Sequence, residues 1–314
     1  AQNTAHRPAA GGRQPGPEGR RPAGGVGGAA AAGIAAVGSW VMGTSGGTNT
    51  LTASSTGLTT VTFTATAIGG TPTQISINSG NNASATVHTV VTAATVKILD
   101  VNNNTVQNGS VTFTVMTGGG SLASSTATSD SSGIVTVPDW TLGNTAGSNT
   151  VKAALTVDST VFVTITATGT AGVISASQST ITVADSTVTV GSTNTTTVTL
   201  QGRDQYGNAV SSASGAVVFS VTAGSIGSAT NNNNGTYVAT YSAANTAGAV
   251  TVSATYAGTA TDTAALTLVA GAPAKYLVTT SVSSLTAGGT LTVSAQLADT
   301  YDNVISLSNR AVVW

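Results

Sequence analysis

Cysteine is absent from the 314 residues, which excludes disulfide and thiolate chemistry. Charge is scarce as well. Charged residues make up 6%, against roughly 25% in an average soluble domain. The formal net charge of −1 argues against a nucleic-acid partner, which needs a basic face. Aromatics contribute 4%, and His6 and His88 are the two histidines. No segment carries helical periodicity of useful length, and no membrane span is expected.

Thr, Ser, Asn, Ala and Gly fill the gap. Disorder couples low hydrophobicity with high net charge. Here the hydrophobic fraction is 40%, and the abundant Val and Thr favour strands.

The chain repeats itself. Gly33-Ile34-Ala35-Ala36-Val37-Gly38-Ser39-Trp40-Val41-Met42-Gly43 returns one hundred positions later as Gly133-Ile134-Val135-Thr136-Val137-Pro138-Asp139-Trp140-Thr141-Leu142-Gly143. A looser copy runs from Gly235 through Tyr241 to Ala254. Self-similarity at a fixed long period signals copies of one module in tandem. The same match argues against a signal peptide read from Arg20-Arg21 and the apolar Val26–Met42, because a leader has no reason to reproduce an internal strand.

Five stretches follow from the repeat. Residues 1–32 hold four of the nine basic residues and are rich in Pro and Gly, so a disordered tail is expected. Residues 33–69 read as the second half of a module, 70–170 as repeat one and 171–271 as repeat two. Residues 272–314 read as the first half of a third. The chain opens on Ala1 and closes on Trp314 within an apolar run, so a segment of a longer chain is expected.

Within each repeat, short period-2 runs are punctuated by Gly, Asn and Asp every 8–12 residues, the pattern of an antiparallel sandwich. Val61, Phe63, Ala65 and Ala67 alternate with threonines. Val217, Phe219 and Val221 reproduce Val111, Phe113 and Val115, and Trp314 falls at the place of Phe219. Gly133 to Trp140 spans seven residues and Gly235 to Tyr241 six. A bulge at Pro138, or at Gly38 in the first copy, is needed to keep the aromatics on one face.

Ile134-Val135-Thr136-Val137 with Trp140-Thr141-Leu142-Gly143, and the turn Asp204-Gln205-Tyr206-Gly207-Asn208 followed by Val217-Val218-Phe219-Ser220-Val221, resemble bacterial immunoglobulin-like domains of the invasin/intimin type (group 1). The resemblance covers 33–314. It implies an all-β chain of tandem immunoglobulin-like antiparallel β-sandwiches, each seven-stranded, with incomplete modules at both ends. It also implies use on bacterial surface adhesins.

Three sets of residues invite a functional reading. Gly43-Thr44-Ser45-Gly46-Gly47 fits a nucleophile elbow, but that needs a strand-to-helix turn and a histidine base. Its equivalents of Ser45 are Thr145 and Thr246 in a hairpin loop, so catalysis is not expected. Asp100, Asp204 and Asp299 each precede an Asn by four positions, and Asp302 adds a carboxylate. These are candidate Ca²⁺ ligands, set against a local Asx-type turn. Trp40, Trp140, Phe113, Phe219 and Tyr241 are expected in the core; exposed, Trp40, Trp140 and Tyr241 would offer a sugar a stacking platform. The Asn231–Asn234 run reads as a polar hairpin tip.

The expected function is non-catalytic: a structural or adhesive spacer of a bacterial surface protein, extracellular or secreted, with no cofactor. Its partners would be neighbouring modules of the same chain and a host-surface or matrix ligand. The alternative is a set of polysaccharide-binding accessory modules of a secreted multidomain enzyme.

Overall fold

The structure, a computed structural model, describes residues 39–211, 217–257 and 259–306. The expected tail 1–32, the opening Gly33–Gly38 of the repeated stretch, and Trp314 lie outside these residues. Among the described residues there are twenty-three strands and no helix. The chain divides into two units, residues 1–170 and 171–314.

In the first unit, β1 (Gly47–Ala53) and β2 (Val61–Ala67) form an antiparallel ribbon. Repeat one follows as β3 (Gln74–Ser79), β4 (Ala83–Thr86), β5 (Thr95–Leu99), β6 (Ser110–Thr117), β7 (Gly120–Leu122), β8 (Thr126–Thr128), β9 (Ile134–Thr136), β10 (Trp140–Leu142), β11 (Gly147–Leu155) and β12 (Asp158–Thr170). One layer has the order β4-β12-β11-β6-β8; the other holds β3-β5-β9 and the pair β10-β7. Strand β4 runs parallel to β12. The two inner faces meet in one core around Ile98, Phe113, Val135, Trp140, Leu155 and Ile165.

The second unit contains repeat two: β13 (Thr180–Val183), β14 (Thr187–Thr189), β15 (Thr195–Gln201), β16 (Val217–Val221), β17 (Ser225–Ile226), β18 (Thr230–Asn231), β19 (Thr236–Ser242), β20 (Gly248–Tyr256) and β21 (Thr259–Val269). Its layers are β13-β15-β19-β17, with β18 also on β19, and β14-β21-β20-β16. The core gathers Leu200, Phe219, Tyr237, Tyr241, Val252 and Leu266. An antiparallel ribbon of β22 (Lys275–Thr280) and β23 (Val293–Ala298) follows.

Among the described residues each repeat thus carries more than the seven strands the resemblance implied: ten in repeat one and nine in repeat two. The surplus consists of short segments where a long strand is interrupted. The clearest interruption is at Pro138, which has no amide to give a ladder. There β9 ends at Thr136 and β10 begins at Trp140. A break, rather than a bulge inside one strand, takes up the extra residue, and Val135, Val137, Trp140 and Leu142 all stay buried. Repeat two needs no such device. Its β19 runs unbroken with Tyr237, Ala239 and Tyr241 inward.

Trp40 departs from expectation. Unlike its equivalent Trp140, which is 3% exposed, it is only half-buried. Among the described residues, the β1–β2 ribbon has no facing sheet to cover it. Val61 and Phe63 of β2 are exposed for the same reason.

Candidate functional site

The Asp-x-x-x-Asn turns are the most regular polar feature of the chain. In repeat one Asp100 follows β5, and its main chain closes a tight turn. The Asp100 amide donates to the Asn104 carbonyl (3.0 Å) and the Asn103 amide to the Asp100 carbonyl (3.1 Å). Such closure requires a left-handed residue before the Asn. That residue is Asn103 (φ 63°), Gly207 (φ 85°) or Asp302 (φ 72°), types that tolerate positive φ.

The buried aspartate holds this turn from inside. Asp100 Oδ1 accepts the amides of Asn102 (2.8 Å) and Asn104 (2.9 Å). Its Oδ2 accepts the Gly70 amide (3.0 Å) and Asn104 Nδ2 (3.0 Å). Asp299 repeats the pattern with Tyr301 and Asn303 on Oδ1 and with Gly271 and Asn303 Nδ2 on Oδ2. Asp204 does so with Tyr206, Asn208 and Gly172.

These donors govern the acidity. The Gly70 amide, opposed by burial and helped by the Asn104 side chain and amide and the Asn102 amide, holds Asp100 down to about 2. At Asp299 burial pushes upward, and the Gly271 amide with the Asn303 and Tyr301 donors outweighs it, again giving about 2. Asp204 is lowered too: burial raises it, but Asn208, Gly172 and Tyr206 prevail.

A carboxylate offers about four acceptor positions. At these three aspartates N–H donors already face both oxygens, so a cation would have to displace them. Asp302, the extra carboxylate, is not drawn into the cluster. It is the exposed left-handed residue and pairs with Lys275 at 2.7 Å. Among the described residues, no three His, Cys, Asp or Glu side chains come together as a metal site. No helix there is long and apolar enough to cross a membrane.

Ser45 lies in the loop before β1, not on a strand-to-helix turn. Asn49 shapes that loop, accepting the Gly43 amide (3.3 Å) and donating to the Gly47 carbonyl (3.1 Å). Asn149 repeats both bonds with Gly143 and Gly147.

Trp140, Phe113, Phe219 and Tyr241 are buried. The Tyr241 hydroxyl donates to the Ala223 carbonyl (3.1 Å). Neither Trp140 nor Tyr241 presents a ring face for stacking. At the Asn231–Asn234 tip, the amides bond within the hairpin and to Ser211, with Asn233 at φ 59°.

Sequence reasoning missed the linker glycines Gly70, Gly172 and Gly271 as partners of the aspartates. The signal was available: a glycine stands at or beside each repeat boundary.

Residues 175–271 match the family model described as invasin, domain 3. None of the curated proteins matches the chain. Among solved structures, FdeC, an adhesin of Escherichia coli, is similar at a TM-score of 0.52 and 24% identity, over 75% of this chain and 77% of that one. Invasin, a bacterial integrin-binding protein, is similar at 0.42 and 23% identity, over 74% of this chain and 48% of that one. InvD of Yersinia pseudotuberculosis is similar at 0.47 and 20% identity, over 71% and 69%. The likeness to FdeC is one of fold.

Proposed function

We propose that this chain, an array of bacterial immunoglobulin-like modules of the invasin/intimin type, is a non-catalytic spacer segment of a bacterial surface adhesin. The observation that carries the reading is the match of residues 175–271 to invasin domain 3. The fold likeness to an E. coli adhesin supports it. Physical economy points the same way. The buried aromatics serve the cores, and the regular acidic side chains hold backbone. With strands of this length at about 3.3 Å per residue, one complete sandwich is roughly 35–45 Å long. A spacer built of such units gains reach by repetition, because each needs only its neighbours.

The experiment is surface display. The chain is placed between an unrelated outer-membrane anchor and a distal epitope, and antibody access through a capsule is measured. A spacer raises access relative to an anchor fused directly to the epitope, and the purified chain binds neither host matrix nor polysaccharide in solid-phase assays. Unchanged access would contradict the reading. Retardation of the chain by soluble polysaccharide in affinity electrophoresis would favour the accessory-module alternative.

A further inference from the structure

At two places the Asn of the Asp-x-x-x-Asn turn reaches out of its own repeat. In the first unit, Asn104 Nδ2 donates to the Thr44 carbonyl (2.8 Å), and the Gly46 amide donates to Asn104 Oδ1 (2.7 Å). In the second unit, Asn303 Nδ2 donates to the Asn245 carbonyl (2.8 Å), and the Ala247 amide donates to Asn303 Oδ1 (2.7 Å). Thr44 and Asn245 flank the equivalent positions Ser45 and Thr246, so the same two bonds grip the same loop of the preceding module in both units.

The chemistry of the amide explains the residue. One N–H of Asn104 or Asn303 goes to the buried aspartate and the other to the foreign carbonyl, while its oxygen takes the foreign amide. Only a group with two donors and an acceptor on a short stem satisfies all three demands. Aspartate would set a second carboxylate beside the first and turn an oxygen toward a carbonyl. The aspartate completes the joint from its other oxygen positions by holding the linker glycine, Gly70 or Gly271. In the second unit a further contact backs this up. Gly191 of repeat two borders the Tyr301 ring, and a Cβ there would sit at ordinary van der Waals distance, 3.5 Å, from the hydroxyl.

We propose that Asn104 and Asn303 are inter-module clasps: the turn is an interaction surface whose partner is the loop before the penultimate strand of the preceding module. Asp and Asn act together, the first immobilising the turn and linker, the second docking it onto the neighbour. The short linkers 68–73, between β2 and β3, and 270–274, between β21 and β22, are thereby converted into stiff joints. The proposal stands apart from the spacer reading, since a stiff joint serves a spacer and a binding module alike.

Amide hydrogen exchange and ¹⁵N relaxation on the full chain test it. In the unsubstituted chain the Gly46 and Ala247 amides are expected to exchange slowly, and β22–β23 to share the tumbling time of repeat two. Asn303→Ala is expected to speed exchange at Ala247 by roughly tenfold, the loss of about one hydrogen bond, and leave Gly46 unchanged. Asn104→Ala does the converse, so each variant controls for the other. Thr300→Ala, in the same turn but pointing to solvent, changes neither. In Asn303→Ala the β22–β23 ribbon is expected to tumble faster than repeat two. Ala247 exchange unaffected by Asn303→Ala, or ribbon tumbling equal before and after the substitution, would overturn the clasp.

Discussion

The Gly70 amide sits 3.0 Å from Asp100 Oδ2, across thirty residues of intervening chain. The Gly271 amide stands in the same relation to Asp299 (2.9 Å). Both carboxyls are held at about 2, below the unfolded value of about 3.9. A carboxylate depressed on folding stabilises the fold above its unfolded value, and that contribution is lost as pH falls through the folded one. The denaturation midpoint is therefore expected to stay level from about pH 7 to about 5 and to fall between about 4 and 2. Replacing Asp100, Asp204 and Asp299 together by Asn should lower stability at neutral pH and flatten the curve in that acid window. An unchanged acid slope in the triple variant would show that other groups govern it.

Asp204→Ala isolates one turn. It removes the carboxylate that accepts the half-buried amides of Gly172, Tyr206 and Asn208. A cost on the order of 2–4 kcal/mol is expected, read from urea unfolding followed at repeat two. Addition of Ca²⁺ should leave the parent chain's midpoint where it was; a rise would restore the cation reading of these aspartates.

The two core aromatics should respond differently to trimming. Tyr241→Phe removes a hydroxyl bonded to the Ala223 carbonyl and is expected to cost about 1 kcal/mol. Trp140 has no hydrogen-bond partner for its indole Nε1, so Trp140→Phe loses packing alone, while Trp140→Ala costs about 3–5 kcal/mol. With Trp40 and Trp314 changed to Phe, the remaining tryptophan should resist acrylamide and ignore soluble glycans. Quenching by a glycan would place the ring at the surface.

Gly120 stands at φ 86°, and a methyl there would run into the Thr141 carbonyl oxygen of its partner strand. Gly120→Ala is expected to cost well over 1 kcal/mol and to unpair β7 from β10, seen as loss of protection at the edge of repeat one. A neutral effect would mean that this edge is already open.

Val61 and Phe63 are 53% and 52% exposed on a two-stranded ribbon that carries no charge to guard its edges. Residues 70–271 alone are expected to stay dispersed where the full chain scatters light, and threonine at both positions should move the full chain toward that behaviour. Equal scattering would count against ribbon-driven association.

How much of this was legible depends on the range of each interaction. Alternation is local, so the inward set Tyr237, Ala239 and Tyr241 could be read from spacing. The odd step to Trp140 could be traced to Pro138, though not whether a bulge or a break would result. Trp40 was placed by equivalence with Trp140, and burial is not inherited by equivalence: it depends on a facing sheet. The Asp100 turn was visible as a turn. Its cross-module half was not, because an Asx turn and a clasp share the same five letters. They differ only in whether the third group of Asn104 finds Thr44 and Gly46, some sixty positions upstream.

The central claim is that 70–170 and 171–271 fold around separate cores. Pulling single molecules of the chain by its ends tests this most directly. Two unfolding steps are expected, each releasing roughly 300 Å, the contour of about a hundred residues at ~3.6 Å each less the folded length. A single step of twice that length would mean one shared core and would contradict the account.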